Sequence, residues 1–64
     1  EIAARLNPSA AEVHNALGQA ALSEGDPKRA LASFQRAAEL DPDRQEYRLN
    51  LQAARDAVGR LPGR

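Results

Sequence analysis

The 64-residue sequence contains no cysteine and no tryptophan, and has a single histidine, a single phenylalanine and a single tyrosine. Without cysteine there is no disulfide and no thiolate metal site. His14 does not build a metal centre with its neighbours, because Glu12, two residues away, points to another side of a helix. Net charge is also missing: nine basic residues balance nine acidic ones. A neutral chain has no general electrostatic grip on nucleic acid or on an anionic membrane. The five Arg residues from Asp43 onward outnumber three acids there, a bias that a solvated helix face explains. No apolar run approaches the roughly 20 residues that span a bilayer. β-Branched residues are nearly missing, so strand signals are too. Ser9, Ser23 and Ser33 have no base at a motif spacing, and neither a nucleophile elbow nor a Gly-rich phosphate loop occurs. The chain therefore reads as a non-enzyme without a cofactor or metal. Recognition of RNA bases needs a basic face that can stack, whereas Phe34 and Tyr47 fall at core spacings.

What is present is alanine: 14 of the 27 apolar residues. Alanine buries little area, so the core must be thin and closely packed. In a chain this short a single core rarely supplies more than about 3–5 kcal/mol. Breaks at Asn7-Pro8, Gly25-Asp26-Pro27, Asp41-Pro42 and Gly59…Pro62-Gly63 separate stretches rich in Ala, Leu, Glu, Arg and Gln, all strong helix formers. Ser9-Ala10-Ala11-Glu12 reads as a capping box, and Asp43-Arg44-Gln45-Glu46 as its counterpart with Asp43 as the cap. Asp26-Pro27 places a capping carboxylate before a proline at the first helical position. Gly25 and Gly59 stand where left-handed terminators belong. Val13, Leu17, Ala20 and Ala21 share one face of the first full helix. Ala30, Leu31, Phe34, Ala37 and Ala38 share one of the second, and Tyr47, Leu51, Ala54 and Val58 one of the third. Turns this short make adjacent helices antiparallel.

An internal period is visible: Ala3-x-x-Leu6-x-Pro8 recurs 34 residues later as Ala37-x-x-Leu40-x-Pro42. Within that period, His14, the Leu17-Gly18 pair, Ala21, Ala30, Phe34, Ala37 and Pro42 fall at the spacing of a tetratricopeptide repeat, which the chain resembles. His14 and Ala21 stand where aromatic residues are usual, so the face between repeats loses bulk. Gly18 is expected to face Ala30 where the two helices cross. The resemblance implies an all-α fold, an antiparallel helical hairpin of a solenoid. Its parts would be the end of a preceding repeat (1–8), a complete hairpin (9–43), a C-terminal capping helix (44–59) and a flexible tail (60–64). Gln52 replaces the glycine of the Leu-Gly pair in the third helix, which suits a terminal cap with one face in water. Because the pattern opens in mid-repeat, the chain reads as a piece of a longer protein.

The same resemblance implies a protein–protein interaction scaffold whose concave groove holds a peptide or protein segment. Glu12, Asn15, Gln19, Leu22 and Ser23 would line that groove from the first full helix, and Glu46, Leu49, Asn50, Ala53, Asp56 and Ala57 from the third. Asn15, Gln19 and Asn50 would hold a peptide backbone, with Leu22 and Leu49 giving apolar contact. A subgroup of the family clamps a C-terminal carboxylate with Lys and Arg. Those slots hold Asn15, Glu46 and Asn50 here, so that function is not expected. The alternative is structural self-association: a homo-oligomer formed through the open repeat face at Val13, His14, Leu17 and Ala21, or by swapping the third helix.

Overall fold

Proline sets the first residue of two of the three helices. The computed structural model describes residues 8–62 as α1 (Pro8–Ser23), α2 (Pro27–Leu40) and α3 (Gln45–Gly59). Of the repeat end read at 1–8, residues 1–7 lie outside the described residues, as do the last two residues of the tail, and Pro8 opens α1. At the first helical position a proline gives up no hydrogen bond, since that N–H would have no partner in the helix. Asp26 caps α2 as its sequence requires: its carboxylate accepts from the Arg29 amide at 3.3 Å, with Pro27 directly behind it. Gly25 makes the turn before it with a φ of +81°, where a side chain would be strained.

Three local expectations are corrected. Ser9 lies inside α1 and does not cap it, because Pro8 already opens the helix. Asp43 does not cap α3 either: the N-cap is Arg44, which makes no capping bond with its side chain. The turn absorbs Asp43, since the Arg44 amide donates back to the Asp41 carbonyl at 3.1 Å. Arg44 instead lies over the Tyr47 ring, 5.3 Å from its centroid, and near Asp41 and Glu46. Gly59 is the last residue of α3 without a positive φ, and the chain leaves through Arg60, itself right-handed.

The helices pack in chain order, α1 on α2 and α2 on α3. Two small clusters hold them. Towards the α1–α2 turn, Ala21, Ala30, Phe34 and Ala54 are buried together, with Leu22, Leu31 and Leu51 around them. At the other end Ala11, Ala37 and Tyr47 are buried, flanked by Ala38 and Leu40. Phe34 and Tyr47, each 1% exposed, are the largest fully buried side chains. Each contributes about 1.5–3 kcal/mol by leaving water.

Gly18 meets the ring of Phe34, which supplies the atoms nearest to it. A β-carbon at residue 18 would stand 2.5 Å from Phe34 Cε1 and 2.6 Å from Cδ1. The glycine is therefore the seat of the aromatic ring, and the close approach offsets the cost of about 1 kcal/mol that a mid-helix glycine carries. The faces of α2 and α3 are buried as their spacing predicts. That of α1 is not. Only Ala21 of its four is in the core, while Val13 is 58% and Leu17 52% exposed. The buried positions of α1 are Ala11, Gly18 and Ala21, a stripe turned towards α2 and α3.

Candidate functional site

Helical spacing places Glu12, Asn15, Gln19 and Ser23 along one stripe of α1, and Glu46, Leu49 or Asn50, Ala53 and Asp56 along one of α3. The structure brings the two stripes together at one point. Asn50 Nδ2 donates to Asn15 Oδ1 at 2.7 Å, and both residues are half-buried. This bond ties α1 to α3 across 35 residues of chain.

Its chemistry has a consequence. An amide side chain carries one carbonyl and one NH2. The pair uses the carbonyl of Asn15 and one N–H of Asn50, which leaves the Asn15 NH2, the second N–H of Asn50 and the Asn50 carbonyl. Donors from both amides and one carbonyl thus remain close together, without partners among the described residues. Rotating both amides by half a turn exchanges the two roles and leaves the same kinds of group.

Around this point Glu12, Gln19 and Ser23 are exposed on α1. On α3, Leu49 is 61% exposed, and Glu46, Ala53 and Asp56 are exposed beside it. Leu22 and Ala57 are half-buried, Leu22 because it packs on the Phe34 cluster. Two of the acids have local partners. Asp56 accepts from Gln52 Nε2 at 3.3 Å, and Glu46 lies 3.9 Å from Arg44 Nη1. Glu12 has none among the described residues. The stripes carry carboxylates, amides and aliphatic groups but no cationic side chain, so their field favours a positive partner.

Sequence reasoning left out a concavity, about 440 Å³ in volume, between α1 and α2 and lined by Leu17, Ala20, Ala21, Glu24, Arg29 and Ser33. The signal for it was present: Leu17, Ala20 and Glu24 continue one side of α1, while Arg29 and Ser33 are one turn apart on α2. Among the described residues, no group of three or more His, Cys, Asp or Glu side chains could hold a metal ion. None of the helices is long and apolar enough to cross a membrane.

A family model described as tetratricopeptide repeat matches residues 11–44, from the first buried alanine of α1 to the N-cap of α3. Neither a curated protein nor a solved structure matches the chain. The hairpin, Gly18 of the Leu17-Gly18 pair seated against Phe34, and the buried alanines between the helices are the features that this family's spacing encodes. The chain belongs to the tetratricopeptide repeat family, whose modules generally mediate protein–protein interaction.

Proposed function

We propose that the α1–α3 groove binds an extended segment of a partner protein, and that Asn15 and Asn50 read its backbone. The supporting observation is the half-buried, hydrogen-bonded amide pair between α1 and α3. Its leftover NH2 and carbonyl match the C=O and N–H that an extended peptide presents, and every residue type except proline offers both. Leu49 gives the segment an apolar contact. Glu12, with Asp56 beyond it, favours a basic side chain, while Gln19 and Ser23 extend the row of polar groups along α1.

The test is selection of binders from a displayed library of short unstructured peptides, followed by titration of the best one. Asn15→Ala with Asn50→Ala should weaken binding at least tenfold, on the scale of about 1.5–3 kcal/mol for a pair of lost hydrogen bonds, with helicity retained. Binding that survives the double substitution would contradict the proposed role of the amides. Added salt should weaken a basic peptide further, by screening Glu12 and Asp56.

A further inference from the structure

Asn15 and Asn50 also fix the register between α1 and α3. Each of these helices runs against α2, so the two are parallel to one another. Their bond of 2.7 Å sets Asn15 level with Asn50, in keeping with the 34-residue period of the sequence. The groove residues can then be placed along the helix axes by the rise of a helix. Glu12 lies about 4.5 Å before the amide pair and Asp56 about 9 Å beyond it. Between them come Leu49, about 1.5 Å before the pair, and Ala53, about 4.5 Å beyond it. All four side chains are exposed. Along the groove the order is thus carboxylate, aliphatic, carboxylate, over a span of about 13.5 Å.

We propose that the segment held in this groove is extended and carries two basic side chains four residues apart with an apolar one midway, a basic–x–apolar–x–basic pattern. The inference rests on the groove reading above and adds what the segment must contain. An extended chain advances about 3.3 Å per residue, so residues i and i+4 stand about 13 Å apart and point to the same side. That is the separation of Glu12 and Asp56 along the groove. Residue i+2 points to the same side about 6.6 Å along, between Leu49 and Ala53. Side chains i+1 and i+3 point away to water and are free to vary. The pattern reads the same in both directions, so it holds for either polarity of the bound chain. Charge selects its ends. Glu12 has no ion-pair partner among the described residues. Glu46, level with it, is engaged by Arg44 at 3.9 Å, so Glu12 carries that end. Asp56 accepts one bond from Gln52 Nε2 and keeps lone pairs for a cation. Arg60, one turn beyond Asp56, makes this the weaker end, although no ion pair joins them among the described residues. Size selects the middle: Ala53 is a methyl group level with the longer Gln19, and leaves room beside Leu49 for a branched aliphatic side chain. An acidic segment is repelled at both ends.

The experiment titrates the whole chain into fluorescently labelled synthetic peptides, read by anisotropy at low and high salt. One peptide carries Lys-Ser-Leu-Ser-Lys between Gly-Ser flanks. A second has the same composition with the two lysines adjacent, a third has glutamate for both lysines, and a fourth has serine for the leucine. We expect the spaced peptide to bind about fivefold tighter than the composition-matched one, the scale of two exposed ion pairs. The serine peptide should be weaker, the glutamate peptide weakest, and high salt should erode the preference. Glu12→Lys should cost about fivefold with the spaced peptide and Asp56→Lys less, with helicity retained by circular dichroism. A peptide with glutamate for one lysine should recover binding to Glu12→Lys, and which lysine it replaces gives the direction of the bound chain. Spaced and matched peptides that bind alike, both still weakened by Asn15→Ala with Asn50→Ala, overturn the pattern and leave the backbone reading standing. A spacing preference that survives Glu12→Lys and Asp56→Lys places the charge recognition elsewhere and overturns it too. So does a spaced peptide that fails to bind at about 1 mM, while peptides selected from a library then decide separately whether the groove binds a segment at all.

Discussion

One methyl group separates Gly18 from alanine, and that methyl would stand 2.5 Å from the buried Phe34 ring. Alanine favours a helix by about 1 kcal/mol over glycine, but overpacking a closed core costs about 1–3 kcal/mol. Gly18→Ala should therefore destabilise the chain, and thermal unfolding followed by circular dichroism gives the sign. Gly59 offers the contrast: it ends a helix without a positive φ, and nothing lies within 4 Å of an added β-carbon. Gly59→Ala should raise the midpoint, by a few degrees for each half kcal/mol in a domain of this size. Gly25→Ala should lower it, because φ is +81° there. A sequence marks all three glycines alike as punctuation or spacing. The repeat spacing located Gly18 but did not name Phe34 as the side chain nearest to it, because which side chain fills the gap depends on how the two helices rotate about their axes.

At the scale of the element, α2 was the most legible. It has an aspartate cap, a proline at its first position and a continuous apolar face, and it packs on both other helices. Asp26→Ala should cost about 0.5–1 kcal/mol, the lower part of the usual range for a cap, because the bond it removes is 3.3 Å long. Chemical denaturation with an unchanged slope would check it. The starts of α1 and α3 were misread, since a capping box depends on one serine or aspartate being the last non-helical residue. Pro8 extends α1 past Ser9, and the Asp41–Arg44 turn displaces the cap of α3 by one residue. The period of α1 was right and its orientation was not. A helical stripe shows that residues share a side, whereas the buried side was the one carrying Ala11, Gly18 and Ala21, the residues small enough for close approach.

Over the described residues the molecule is a hairpin with one more helix stacked on it, and of the seven buried hydrophobic residues of its core five are alanine. Phe34 and Tyr47 supply most of the buried bulk. Replacing Phe34 by alanine should cost about 3–5 kcal/mol, comparable to all that a core of this size provides. The variant should lose most of its helicity at room temperature, and a cooperative transition like that of the parent would contradict the ledger. Architecture and family were readable because a 34-residue period sets which faces must be covered. The Asn15–Asn50 bond was not: each was visible as a polar position on a helix, but their bond requires the approach of α1 and α3. The most direct measurement of the proposed role is therefore a nitrogen-15 NMR titration with a selected extended peptide, observing the side-chain amides of Asn15 and Asn50. We expect these resonances to shift with the bound fraction, together with the backbone of Leu49 and Gln19. Amide side chains that stay unmoved while Val13, Leu17 and Ala20 shift would contradict the groove as the binding surface.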